Sequence, residues 1–209
     1  MTDLVFQQGD TAPRQLIVML HGVGSSARDM APLGQALAEG LAEVRVVVAD
    51  GFDPFDLGGN GRQWFSVRGV TPENRAGRVA SAMPRLLDRI EALRLEAGLD
   101  PASVGLFGFS QGAIMALAAA AGGYAVGRVV SAAGRLAAPV LPATPQSPRL
   151  LLVHGAADTI IPVQEGRDAA RSLADAGFDV AFAEETGHGH GVSGDQLQAS
   201  LKWFQTRHD

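Results

Sequence analysis

Six short apolar runs recur along the chain, at residues 16–20 (LIVML), 44–49 (VRVVVA), 104–107 (VGLF), 126–131 (VGRVVS), 150–154 (LLLVH) and 180–184 (VAFAE). A strand needs an unbroken apolar run only when both of its faces are covered, as in the parallel sheet of an α/β protein. Segments with helical spacing lie between the runs. Residues 29–41 place Leu33, Leu37 and Leu41 on one face, with Asp29 expected as the cap and Pro32 in the first turn. Residues 72–97 align Val79, Met83, Leu86, Leu87, Ile90 and Leu93. Pro84 inside that pattern is expected to kink the helix or split it, and Gly98 to end it. Further helices are expected over 165–176, closed by Gly177, and over 195–206, with Leu197, Leu201 and Phe204 facing inward. The alternation predicts a three-layer α/β fold with a mostly parallel central sheet, in a single domain over residues 1–209. No insertion between the runs is long enough for a separate cap domain.

Composition narrows what such a fold can do. The net charge is −5 and the basic residues are scattered, which argues against a nucleic-acid partner. The chain has no cysteine, so disulfides, thiolate catalysis and cysteine-based metal sites are excluded. The longest apolar run, residues 113–121, is far shorter than a transmembrane span, and the first ten residues lack the pattern of a signal peptide. A cytoplasmic location is expected.

One segment has no clear periodicity. Residues 50–71 hold five glycines together with Phe52, Phe55, Trp64 and Phe65, four of the twelve aromatic residues. A loop of this length in a compact domain is usually functional or disordered, and its aromatic content argues against disorder. Phe55, Trp64 and Phe65 are candidates for lining a substrate groove, or for pinning the loop to the core. Arg62 is expected to be a solvated surface residue.

The chemistry is concentrated around residues 103–121, SVGLFGFSQGAIMALAAAA. A strand meets Gly108-Phe109-Ser110-Gln111-Gly112 and then a strongly helical segment. A serine at the apex of so sharp a strand-to-helix turn, with glycines two positions either side, reads as a nucleophile elbow. A serine hydroxyl needs a base to take its proton, and the base needs a carboxylate to orient it. In an open α/β sheet such groups gather beyond the carboxyl ends of the strands. Asp158 follows one strand run, and His188 and His190 follow another, in the order Ser, Asp, His. Periodicity does not choose between the two histidines, because glycines surround both. The backbone N–H of Gln111, next to the serine, and that of Val23, in the turn HGVG, are candidate donors to an oxyanion. His21, at a strand end, is expected to support its loop.

These residues resemble the carboxylesterase/phospholipase family of α/β-hydrolases, which includes the acyl-protein thioesterases. The similarity is carried by LHGVGSS (20–26), GRQWFSV (61–67), GFSQGAIMAL (108–117), HGAADTIIPV (154–163) and GHGVS (189–193), spanning nearly the whole chain. It implies Ser110 as nucleophile, Asp158 as orienting acid, His190 as general base, and Val23 and Gln111 at the oxyanion hole, with Trp64 as a substrate-side aromatic. It implies hydrolysis of a small-molecule or acyl-chain carboxylic ester or thioester through an acyl-enzyme, with no metal or organic cofactor. Lysophospholipase, acyl-protein thioesterase, cofactor-free haloperoxidase and acyltransferase activities use the same triad, whereas a non-enzymatic binding protein would usually have lost part of it. Family members occur as monomers and as homodimers. The chain departs from many members in having Ala49-Asp50-Gly51 where they have an Ala-Pro pair, a difference expected on the substrate side.

Overall fold

The computed structural model describes residues 3–9 and 11–205. A seven-stranded sheet runs through its centre in the order β1-β3-β2-β6-β7-β8-β9. The strands are β1 (Leu4–Gln7), β2 (Gln15–Leu20), β3 (Val44–Ala49), β6 (Val104–Phe109), β7 (Arg128–Ala132), β8 (Arg149–Gly155) and β9 (Val180–Glu185). All neighbouring pairs are parallel except β1 with β3. The fold is that of the α/β-hydrolases. β1 was not expected from the sequence: LVFQ is short, and on the sheet edge it lacks the continuous apolar character of the inner strands.

Side chains alternate across the sheet and build two cores. Leu16, Val18 and Leu20 of β2 join a core beneath α2 (Pro72–Ala97), α3 (Gln111–Ala121) and α4 (Val163–Asp175). Ile17 and Met19 point the other way, toward α1 (Ala27–Gly40) and α5 (Gly194–Gln205), meeting Leu37, Leu201 and Phe204. Helix α3 is buried along its full length. Its run of alanines lets it approach the sheet closely while α2 covers its outer side. The residue expected to end α5, Thr206, lies outside the described residues. No helix among the described residues is long and apolar enough to cross a membrane.

Several boundaries differ from expectation. Helix α1 begins at Ala27 with Ser26 as its cap, so Asp29 lies inside the first turn and Pro32 beyond it. Asp29 instead accepts hydrogen bonds from the Ser25 and Ser26 hydroxyls. The acceptor for the first helical N–H, that of Ala27, is the Asp50 carboxylate at 2.8 Å. Asp50 therefore anchors a helix to the end of β3. Helix α2 is not split at Pro84: it runs unbroken from a capping box at Thr71 and Asn74 to a left-handed Gly98. Strand β7 starts two residues later than the apolar run that signals it. The 50–71 loop contains a small antiparallel ribbon, β4 (Asp53–Pro54) paired with β5 (Arg62–Gln63).

Successive strands spread outward in opposite directions from the adjacent pair β2 and β6. A crevice forms where such a sheet changes direction, outside the carboxyl ends of those strands. The HGVG turn follows β2 there, and Ser110 follows β6.

Candidate active site

Ser110 lies between β6 and α3 with φ 52° and ψ −114°, a conformation that is strained for a residue with a Cβ. The structure over-determines it. The Ser110 N–H donates to the Ala132 carbonyl of β7 at 2.9 Å, and the Ser110 carbonyl accepts from Ile114 N–H at 3.0 Å. The flanking glycines leave no room for a side chain: a Cβ on Gly112 would lie 2.0 Å from the Leu20 carbonyl oxygen, and one on Gly108 2.5 Å from the Ala113 Cα. The hydroxyl is thereby carried to the crevice, where it meets a histidine.

That histidine is His190. Its Nε2 lies 3.0 Å from Ser110 Oγ, and its Nδ1 lies 2.7 Å from Asp158 Oδ2. A carboxylate can only accept, so Nδ1 carries the proton and Nε2 is free to accept from the serine hydroxyl. Asp158 is itself fixed: Oδ1 accepts from the N–H groups of Ile160 (2.8 Å) and Ile161 (2.9 Å). Burial favours its neutral form, but the bonds from His190, Ile161 and Ile160 outweigh that and hold its pKa below the ordinary value. The Phe109 ring packs against the His190 ring, with centroids 5.1 Å apart.

His188 contributes its backbone. Its carbonyl accepts from Ala157 N–H at 2.9 Å, which ties the histidine loop to the aspartate loop. A Cβ on Gly155 would lie 2.3 Å from that same carbonyl oxygen, so the two loops stand in direct contact. His154 is a participant that strand periodicity hides, because it reads as one more buried residue of β8. Its Nε2 bonds the Ile161 carbonyl at 2.8 Å and lies 3.4 Å from Asp158 Oδ2, bracing the turn that carries the carboxylate.

Val23 and Gln111 each lie three residues beyond the last paired residues of the neighbouring strands β2 and β6, and among the described residues neither backbone N–H donates to a protein acceptor. The loop bearing Val23 is strapped from outside. Gly24 N–H donates to the Arg62 carbonyl at 2.8 Å, and Arg62 N–H to the Ser25 carbonyl at 2.7 Å. The Arg62 side chain is half-buried and bonded to backbone, contrary to the expectation of a solvated surface residue: Nε and Nη2 donate to the Gly51 and Phe52 carbonyls at 3.0 and 2.9 Å. Gly61 permits this approach, since a Cβ there would lie 1.9 Å from the Gly24 oxygen. His21, fully buried, donates from Nδ1 to the Gly22 carbonyl at 2.6 Å and accepts the Gly51 N–H at Nε2, 2.8 Å. Burial lowers its pKa and keeps it neutral, outweighing the Gly22 bond and the Asp50 charge.

The aromatic loop is anchored more deeply than its composition suggests. Trp64 is 0 % exposed and Phe65 6 %. The Trp64 indole N–H donates to the His21 carbonyl at 2.8 Å, and its ring meets Phe52 edge-on. Phe55 is half-buried and its ring covers Gly24. The Gln111 side chain is the link that sequence reasoning missed. Its Oε1 accepts from Trp64 N–H at 2.8 Å and its Nε2 donates to the Phe65 carbonyl at 2.7 Å. Gln111 is thus a two-handed clamp on the loop backbone. An open depression of about 560 Å³ lies outside Trp64 and Phe65, along α2, and does not include Ser110.

Comparison with known proteins gives a consistent picture. A family model described as Phospholipase/Carboxylesterase matches residues 1–208. The chain is 35% identical over 202 residues to Esterase YpfH of Escherichia coli (strain K12), covering 94% of this chain and 84% of that protein. The crystal structure of esterase PE8 superposes with a TM-score of 0.86 at 26% identity, over 97% of this chain and 96% of the other. That of Zea mays acyl-protein thioesterase 2 shares the fold, with a TM-score of 0.72 at 22% identity over 97% and 96% of the two chains.

Proposed function

The chain belongs to the phospholipase/carboxylesterase family and is a serine esterase; from that premise we propose that Ser110, His190 and Asp158 hydrolyse carboxylic esters through an acyl-enzyme. The observation that carries the residue assignment is the unbroken chain of contacts Ser110 Oγ, His190 Nε2, His190 Nδ1, Asp158 Oδ2, at 3.0 and 2.7 Å. In the first step Ser110 Oγ attacks the acyl carbonyl while its proton passes to His190 Nε2. The Asp158 carboxylate, kept ionised by its three hydrogen bonds, steadies the imidazolium that results. Negative charge on the carbonyl oxygen is met by the N–H groups of Val23 and Gln111, the second at the positive end of α3. His190 then protonates the leaving alcohol. Water repeats the sequence on the acyl-enzyme, releasing the acid and restoring the serine.

Residues 1–209 act as one catalytic domain without a cap, so the substrate approaches from an open face. Phe55 serves as the accessible aromatic wall beside Val23. Trp64 and Phe65 act on the substrate side through the loop they anchor. Activity on longer acyl chains, of the lysophospholipase or thioesterase kind, is favoured by one observation. Leu57 and Ile160, on the aromatic and aspartate loops, are 58 % and 64 % exposed and present apolar surface there.

Labelling by a fluorophosphonate probe together with turnover of p-nitrophenyl acetate tests the assignment. Wild type is expected to be labelled and active, and Ser110→Ala to lose both. His190→Ala is expected to lose at least a thousandfold in kcat/KM, in the range of triad deletions. His188→Ala should keep most of its activity. Retained activity in Ser110→Ala, or the opposite ranking of the two histidines, would refute it. Comparing oxygen esters with thioesters over a series of acyl lengths then decides between the short- and long-chain readings.

A further inference from the structure

At the pole of the sheet opposite Ser110, the amino ends of β2, β6 and β7 surround a cavity of about 540 Å³. Arg128, the first residue of β7, lies in its wall and is 5 % exposed. Its Nε and Nη2 are buried and have no hydrogen-bond partner. Two other arginines stand nearby, and each has a carboxylate beside it: Arg14 forms a loose, exposed pair with Glu43 at 3.7 Å, and Arg149 bonds Asp179 at 2.6 Å. Among the described residues Arg128 pairs with no carboxylate. Burial and the Arg149 charge both push its pKa down.

An ionised group withdrawn from water without a partner is strongly unfavourable, and buried charges in proteins are almost always paired. A methionine or leucine could fill the same space at the start of β7 without that cost. The guanidinium fork is suited to two parallel hydrogen bonds with a carboxylate or a phosphate. The cavity is larger than either group alone, and Gln15 and Ser103 add polar side chains to its lining. We propose that this cavity is a binding site for a small oxyanion-bearing molecule, an organic acid or a phosphate ester, whose charged group seats on Arg128. The site is separate from the esterase centre: Arg128 and Ala132, whose carbonyl holds Ser110, are opposite ends of the same strand.

Thermal unfolding of the full chain tests this with inorganic phosphate and with citrate, against potassium chloride at matched ionic strength. Either anion should raise the wild-type Tm saturably, by about 3–6 °C at ten times its Kd. A response to phosphate alone or to citrate alone assigns the anion class. Arg128→Met should lose the response, melt no lower than wild type in anion-free buffer, and keep the wild-type kcat/KM for p-nitrophenyl acetate. Arg128→Lys, which keeps the charge and loses the fork, should bind at least tenfold more weakly and covers the case in which the methionine variant does not fold. Neither anion raising Tm beyond the chloride control overturns the proposal, as does an equal rise in wild type and Arg128→Met.

Discussion

At the scale of single residues, His21 shows how burial fixes a protonation state. Its folded pKa lies below the ordinary value of 6.5. The unfolded chain therefore takes up a proton first as pH falls through about 6.5, and stability drops until the folded pKa is passed. Urea unfolding at pH 7.5 and 5.5 should show wild type losing more stability than His21→Gln, whose amide oxygen can still accept the Gly51 N–H. Equal losses would mean that His21 does not carry this dependence. Gln111→Leu makes a second residue-scale prediction. It leaves the Trp64 N–H and the Phe65 carbonyl buried without partners, at about 1–3 kcal/mol for each. The backbone N–H proposed for the oxyanion hole is retained, so a fall in kcat/KM beyond the loss of folded protein would measure the clamp. The choice of His190 over His188 rested on the family resemblance, whereas Ser110 and Asp158 were legible in the sequence because a nucleophile and its acid need particular residue types at particular strand ends. The clamps by Gln111, Arg62 and Asp50 were not, because each joins a side chain to backbone groups at least ten residues away.

At the scale of elements, the strands and helices that face the core could be read from apolar periodicity, which reports burial directly. What escaped was the edge strand β1, whose partner β3 lies far along the chain, and the ribbon β4–β5, whose two-residue strands are too short to show a period. Pro84 is the instructive helix case. It is exposed, and α2 runs through it unbroken because the apolar face including Val79, Leu86 and Ile90 is buried on either side. Tertiary packing outweighs the missing backbone hydrogen bond. Pro84→Ala should restore a donor to the Ala80 carbonyl and stabilise the protein by about 1–3 kcal/mol. A Tm equal to or below that of wild type in a thermal melt would show that the surrounding backbone has adapted to the ring.

At the scale of the whole molecule, the sheet divides the interior into two cores with few shared side chains. Leu37 belongs to the core under α1 and α5, and Leu86 to the one under α2, α3 and α4. Each leucine is fully buried, so truncation to alanine should cost about 2–5 kcal/mol. Because the sheet stands between them, the double variant should equal the sum of the singles to within about 0.5 kcal/mol in denaturant unfolding. A larger discrepancy would mean that the sheet transmits repacking from one face to the other. The Gln111 clamp has a consequence for redesign. Grafting another esterase's 50–71 segment to change substrate range would disturb the nucleophile's own turn unless the recipient glutamine finds the same donor and acceptor. Changes to this proposed substrate-side loop are therefore best confined to its tip, around residues 55–60, with Arg62 to Phe65 left as a fixed plate.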